Sequence, residues 1–246
     1  MSSPPSPSKE ESSFPTTRWT IVRMAGADDW EQARLALESL CREYWKPLQA
    51  FTRRLGQTEA DASDTIQEFL SRFVESGGFT KADEPKGRLR TFLLRSLRNH
   101  LTDQWRQTNI QKNSVQKGSL SLDAWSRTEL SGDDNHSHEG TEAFDREWAK
   151  SIMDRTLEAL RKSYAERGKQ TVFEKLLPVV EGDSLPSESR DALCSELGMS
   201  SNALGVEVHR LRNRLAQTVR KIIGDTVDDE SEIEEELRYL AKVLTK

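Results

Sequence analysis

The side chains best suited to bind a ligand lie in the stretch 191–214, where polar and basic residues accompany two helical patterns. The first pattern ends at Leu197, Gly198 can adopt the left-handed conformation of a tight turn, and Ser200 or Ser201 can cap the second helix. This order predicts a helix-turn-helix, whose second helix can enter the major groove of DNA. A two-helix hairpin with a solvated basic face is the alternative interpretation. The side chains predicted to face outward are Ser201, Asn202, His209, Arg210, Arg212 and Arg214.

A second basic site is predicted at 87–107, on a helix whose apolar stripe leaves most of its arginines on the outer face. Such a face can hold phosphates while nearby aromatic rings stack on unpaired bases. A solubilising surface is the simpler explanation of the same pattern. The nucleic-acid interpretation selects Arg88, Arg90, Arg95, Arg98, Asn99, Trp105 and Arg106.

The stretch 64–70 reads D-T-I-Q-E-F-L and places carboxylates and an amide beside an apolar stripe. This pattern is typical of a helix that faces a partner protein. No matching His, Cys or carboxylate set accompanies it, so the sequence predicts a binding protein and not an enzyme. His136 and His138 look like a metal-binding pair, but they lie in a polar stretch without Cys. We therefore predict no metal and no cofactor.

Charge is unevenly distributed along the 246 residues. Lys and Arg number 36 against 41 Asp and Glu, and the net charge of −5 taken alone argues against nucleic acid as a partner. However, residues 86–117 carry eight basic side chains and one acidic side chain, a net charge of +7, and residues 189–224 carry a net charge of +3. Segments 119–147 and 225–246 carry net charges of −6 and −5. This alternation predicts separate basic binding surfaces flanked by acidic segments.

Apolar residues recur at spacings of three and four along most of the chain, and no long stretch alternates with period two. The sequence therefore predicts an all-α protein with two helical lobes, a flexible acidic linker and a C-terminal amphipathic helix. No window is apolar enough for a membrane span, and Cys41 and Cys194 lie beside apolar residues, so we expect a cytoplasmic protein. The predicted boundaries are a disordered N-terminus at 1–13, a first lobe at 14–107, the linker at 108–141, a second lobe at 142–224 and the acidic C-terminal helix at 225–246.

Short motifs follow one another from about Phe14 to the end of the chain, with few of them in the predicted linker. In this order and spacing they resemble the sigma-70 superfamily of bacterial transcription initiation factors. Within it, they are most similar to the small extracytoplasmic-function type with only regions 2 and 4, in a group common in Planctomycetes and related bacteria. The motifs are F-P-T-T-R-W-T at 14–20, Y-W-K-P-L-Q-A-F at 44–51, D-T-I-Q-E-F-L at 64–70, K-G-R-L-R-T-F-L-L at 86–94, S-L-D at 121–123, V-H-R-L-R-N-R at 208–214, G-D-T-V-D-D at 224–229 and E-E-E-L-R-Y-L at 234–240.

The resemblance implies a sigma factor, a dissociable subunit that confers promoter recognition and DNA melting on bacterial core RNA polymerase. A region 2-like lobe would bind the clamp helices of the polymerase β′ subunit through Asp64, Gln67, Glu68 and Phe69. Its loop 77–87 and basic helix 88–107 would engage and melt the downstream promoter element and capture bases of the non-template strand.

The region 4-like helix-turn-helix would read the upstream element in duplex DNA and contact the β flap. Ser201 and Asn202 would face base edges, while Arg210, Arg212 and Arg214 would mainly contact phosphate. An anti-sigma factor is a further candidate partner. No contact with a membrane is implied.

Two residues depart from the pattern of the family on the recognition helix. Gly205 stands where relatives commonly have Lys, which removes a cation and costs about 1 kcal/mol of helix propensity. Glu207 adds a carboxylate that we expect near the DNA side. Both changes bear on the affinity and sequence preference of the upstream contact.

The acidic C-terminal helix has two interpretations from sequence. It packs on the second lobe, or it shields the basic face of the helix-turn-helix until polymerase binds. Two other functions also fit the chain: a helix-turn-helix regulator that binds duplex DNA without polymerase, and an all-α adaptor with solvated basic faces. The helix that contains 64–70 discriminates between them, because a plain regulator does not need it.

Overall fold

The computed structural model describes residues 30–75, 88–113, 135–182, 187–227 and 229–246. Within these ranges every regular element is an α-helix and no strand is present, which confirms the predicted all-α class. None of these helices is both long enough and apolar enough to cross a membrane. The helices are α1 (Trp30–Arg54), α2 (Glu59–Glu75), α3 (Leu89–Asn113), α4 (Asn135–Glu166), α5 (Gln170–Glu181), α6 (Ser187–Leu197), α7 (Ser201–Gly224) and α8 (Ser231–Leu244).

The larger hydrophobic core brings helices from both halves of the chain together. Helices α1, α2 and α3 contribute one side of it, and the first half of α4, the second half of α7 and all of α8 contribute the other. Each large apolar side chain buried in this way stabilises the fold by roughly 1.5–3 kcal/mol. Fully or almost fully buried members include Leu48, Phe51, Ile66, Leu93, Leu97, Phe144, Ile223 and Leu240.

A smaller core lies under the predicted helix-turn-helix. It joins the second half of α4 and all of α5 to the first half of α7, with Leu193, Cys194 and Leu197 of α6 packed at its edge. Helices α4 and α7 therefore run through both cores and connect them. The buried members of this core are Leu160, Tyr164, Phe173, Leu176, Leu204 and Leu211.

Both ends of the predicted linker 108–141 are helical. Helix α3 continues to Asn113 and α4 begins at Asn135, while residues 114–134 lie outside the described part of the chain. The sequence from Leu89 to Asn113 contains neither Gly nor Pro, so nothing in it interrupts the helix. The predicted disordered N-terminus and the motif at 14–20 also lie outside the described residues.

Candidate nucleic-acid interface

The turn between α6 and α7 has the geometry that the sequence predicts. Gly198 has φ of +62°, in the left-handed region that favours glycine, and the N–H of Met199 donates to the carbonyl of Cys194 at 2.9 Å. Ser200 is the cap of α7, because its Oγ accepts a hydrogen bond from the N–H of Ala203 at 3.3 Å. These local contacts set where α7 begins and how it leaves α6.

The inner face of α7 packs on α5 and fixes which side chains point outward. Leu204 and Leu211 are buried against the ring of Phe173 and its neighbours in the smaller core. As predicted, the outer face exposes Ser201, Asn202, His209, Arg210 and Arg212. Arg214 differs from these, since its guanidinium lies over the Tyr164 ring at 5.1 Å and is half-buried.

A groove opens between α6 and the outer face of α7. It brings together three of the predicted residues, Ser201, Asn202 and His209, with Arg210 at its side. Two further lining residues were missed by sequence reasoning, Arg190 on α6 and Val206 on α7. The signal for Val206 was available, because this apolar residue is out of phase with the buried stripe of α7. Gly205 completes the lining.

Glu207 is buried and does not lie on the exposed outer face of α7, which corrects the expectation from sequence. The residue is only 5% exposed and accepts hydrogen bonds from Lys169 Nζ and Arg210 Nη1, both at 3.2 Å. Burial alone would raise the pKa of Glu207, but the hydrogen bonds and positive charges of Lys169 and Arg210 outweigh it and leave the pKa lowered. Through its hydrogen bond with Lys169, Glu207 therefore links α7 to the start of α5.

The second predicted site, on α3, is divided by the packing of α8. Arg90 is not a surface arginine: its side chain is 11% exposed and pairs with Glu236 Oε2 at 2.9 Å and Asp145 Oδ1 at 3.5 Å. Its guanidinium also lies 3.9 Å from the centre of the Tyr239 ring. This corrects the expectation that Arg90 belongs to an exposed basic face of α3.

Arg88 is also held by α8, through ion pairs with Glu235 and, at 3.2 Å, with Glu236 Oε1. The Tyr239 hydroxyl donates a hydrogen bond to Asp145, which completes the cluster around Arg90. Burial raises the pKa of Asp145 and of Glu236 by more than the charge of Arg90 lowers it.

Farther along α3, a basic face remains on the surface. Arg95, Asn99 and Arg106 are exposed, with Arg106 3.5 Å from Asp103 of the same helix. Arg98 is half-buried: it donates to Thr141 Oγ1 at 2.7 Å and lies over the Phe51 ring at 5.4 Å. Trp105 is also half-buried.

The predicted partner-facing residues on α2 separate into two groups. Asp64 and Gln67 are exposed. Glu68 is half-buried and accepts a hydrogen bond from Gln104 Nε2 of α3 at 2.8 Å. Phe69 is only 2% exposed and packs on the rings of Phe73 and His100, so it supports the core and does not present its ring to a partner as predicted.

Helix α8 lies away from the groove between α6 and α7. Besides Arg88 and Arg90, it contacts the second half of α7, where Arg220 pairs with Glu234. Lys246, just beyond its end, pairs with Glu142 at 3.1 Å. This arrangement contradicts the interpretation in which the acidic helix shields the basic face of the helix-turn-helix.

No cluster of three or more His, Cys, Asp or Glu able to hold a metal ion is found in the described ranges. The side chains of His136 and His138 lie outside the described part of the chain.

Comparison with known protein families, with curated proteins and with solved structures finds no match for this chain. The function is therefore inferred from the residues and the geometry of the described helices.

Proposed function

We propose that this chain is a sigma factor of the extracytoplasmic-function type, a subunit that gives bacterial core RNA polymerase its promoter specificity. The observation that carries the proposal is the groove between α6 and α7. There a glycine turn and a serine cap position a helix whose outer face combines hydroxyl, amide, imidazole and guanidinium groups. These are the groups that contact base edges and phosphates in the major groove.

In this proposal the two hydrophobic cores correspond to two functional lobes. The smaller core, with α5, α6 and the first half of α7, belongs to the lobe that reads duplex DNA. The larger core, with α1, α2 and α3, belongs to the lobe that binds polymerase and melted DNA.

The exposed part of α3 supports contact with single-stranded DNA. Arg95, Asn99 and Arg106 are accessible, and the guanidinium groups of Arg95 and Arg106 can attract phosphates. Arg88 takes part only if it exchanges the carboxylates of Glu235 and Glu236 for a phosphate. Arg90 serves the packing of α8 instead.

The polymerase contact of the proposal uses the exposed Asp64 and Gln67 of α2. The direct test is in vitro transcription with bacterial core RNA polymerase, this protein and genomic DNA, with the start sites sequenced. A discrete set of starts that depends on the protein is the expected result. No protein-dependent start would contradict the proposal.

A pull-down with core polymerase separates the proposed function from a regulator that acts alone. Asp64→Ala with Gln67→Ala is expected to abolish co-purification, because both side chains lie on the surface of α2. The control is Asp154→Ala with Gln217→Ala, which removes an exposed acid and an exposed amide on α4 and α7. If both double variants co-purify with core polymerase equally well, α2 does not form the polymerase contact.

A further inference from the structure

One face of α7 carries a continuous stripe of exposed side chains that the proposed function does not yet use in full. Asn202, Val206, His209 and Asn213 follow one another at spacings of four, three and four, so they lie one above the other on the helix. Asn213 Nδ2 and His209 Nε2 are 3.1 Å apart. The first three of these residues line the groove beside α6.

Val206 is the unusual member of this stripe. It is 43% exposed, and in the described residues only Leu35 and Leu244 are large apolar side chains as open to solvent. Isolated exposed apolar residues are common at protein surfaces. Val206, however, lies between hydrogen-bonding residues on the outward face of α7, where it lines the groove beside α6.

Gly205 makes the surface beside Val206 shallow. A Cβ atom added at Gly205 would meet nothing within 4 Å, so the backbone of α7 is open to a ligand there. The surroundings are basic, since Arg190 is exposed across the groove and Arg210 and Arg212 flank the stripe on α7. The matching ligand is a polyanion that carries an apolar group next to hydrogen-bond donors and acceptors. Duplex DNA that contains thymine has this chemistry, because the thymine methyl group lies in the major groove beside the polar edges of the bases.

We infer that α7 reads an A·T-containing upstream element, with Val206 in contact with the C5-methyl group of a thymine and Asn202 hydrogen-bonded to an adenine. Asparagine forms a bidentate pair with adenine N6 and N7, and small apolar side chains contact the thymine methyl group. One helical turn rises about 5.4 Å, and base pairs are stacked about 3.4 Å apart. Asn202 and Val206 therefore reach base pairs one or two steps apart.

This inference rests on the proposed function, and the experiment tests the two separately. Duplexes are selected from a random library by the full chain bound to core RNA polymerase, and in parallel by the full chain alone. The selected upstream element is then prepared with each thymine replaced in turn by deoxyuridine, which removes only the methyl group. At one thymine the affinity of the unaltered protein is expected to fall about four-fold, as for one buried methyl group.

Variants assign that effect to its residue. Val206→Ser, which replaces the apolar contact by a hydroxyl, is expected to make binding indifferent to the same replacement. Leu244→Ser, which makes the same kind of change at a similarly exposed apolar side chain on α8, keeps the four-fold ratio. Asn202→Ala is expected to reduce discrimination at a nearby adenine about five-fold or more.

The possible outcomes distinguish a failure of the inference from a failure of the proposed function. An enriched element whose thymine-to-uracil ratios are the same for the unaltered protein and for Val206→Ser would overturn the inference and leave the proposed function standing. Enrichment and a Val206-dependent methyl effect without protein-dependent transcription would support the inference and remove the polymerase role. No enriched sequence in either selection would overturn both.

Discussion

Gly205 weakens helix α7 without any packing reason. Its position in the interior of α7 costs about 1 kcal/mol relative to alanine, because glycine loses more backbone freedom on helix formation. An added Cβ would meet no atom within 4 Å. The helix therefore has space for a side chain that it does not use.

The first prediction follows directly. Gly205→Ala is expected to raise the free energy of unfolding by about 1 kcal/mol, measured by urea denaturation followed by circular dichroism. The control is Gly140→Ala in α4, where the new Cβ would lie only 3.0 Å from Cδ2 of the buried Phe51 ring. That variant is expected to lose stability. A gain in the free energy of unfolding for both variants would show that helix propensity alone determines the effect of these substitutions.

Glu207 supplies a pH-dependent contribution to stability. Its pKa in the folded protein lies below the ordinary value of 4.5, so its contribution is present above that value and is lost as the pH falls through the folded value. Glu207→Gln is expected to cost about 1 kcal/mol at pH 7. The figure is modest because solvent screens the exposed Lys169 and Arg210.

Urea denaturation of both proteins at a series of pH values checks this prediction. The difference in stability between the unaltered protein and Glu207→Gln should shrink as the pH is lowered below 4.5. A difference that stays constant over that range would show that Glu207 is not held as a carboxylate by Lys169 and Arg210.

These residues also show what the sequence can predict. Gly198, Ser200 and the outward face of α7 follow from local spacing, because a turn, a cap and a helical period depend on neighbours in the chain. The burial of Glu207 does not, since Lys169 lies 38 positions away. The position of Phe69 on the apolar stripe of α2 predicts burial, but its contact with His100 of α3 does not follow from neighbours in the chain.

Among the elements, α3 changes character along its length. At its start, α8 occupies Arg88 and Arg90 with carboxylates, whereas Arg95 and Asn99 one to two turns later are exposed. The sequence predicts one continuous basic face. It could not show that the acidic segment at the end of the chain neutralises the first turn, because that pairing spans 146 positions.

The exposed part of α3 gives a prediction for DNA melting. Arg95→Glu with Asn99→Ala is expected to reduce permanganate reactivity of promoter thymines at least ten-fold, because a carboxylate would repel the non-template strand. Co-purification with core polymerase should be unchanged, since α2 is untouched. Arg146→Glu, which reverses an exposed charge on α4, is the control. If the promoter still melts with the α3 variant, α3 does not take part in DNA melting.

At the scale of the whole molecule, α8 joins segments that are distant in sequence. The N–H of Leu89 at the start of α3 donates to the carbonyl of Thr226, just before α8, at 3.1 Å. Ile233 and Leu240 of α8 are buried in the larger core with Val219 and Ile223 of α7. Removal of residues 229–246 should therefore destabilise the protein, and it should not raise DNA binding by uncovering the helix-turn-helix.

Two neighbouring glutamates on α8 allow the role of this helix to be tested without a deletion. The Glu236 side chain is 2% exposed and pairs with the buried Arg90, whereas the Glu235 side chain is 61% exposed and pairs with Arg88. Loss of one partner of a buried ion pair leaves the other charge uncompensated, which typically costs about 3–5 kcal/mol. Loss of an exposed partner costs about 1 kcal/mol or less.

Glu236→Ala is therefore expected to lower the free energy of unfolding by about 3 kcal/mol, and Glu235→Ala by less than about 1 kcal/mol. Urea denaturation at pH 7 measures both. The larger effect requires α8 to be docked on α3 and α4, because only there does Glu236 reach Arg90 between Trp148 and Tyr239. Equal, small effects would mean that α8 is not part of the folded core. A large loss of stability for Glu236→Ala alone would show that α8 is a structural link between α3 and α7.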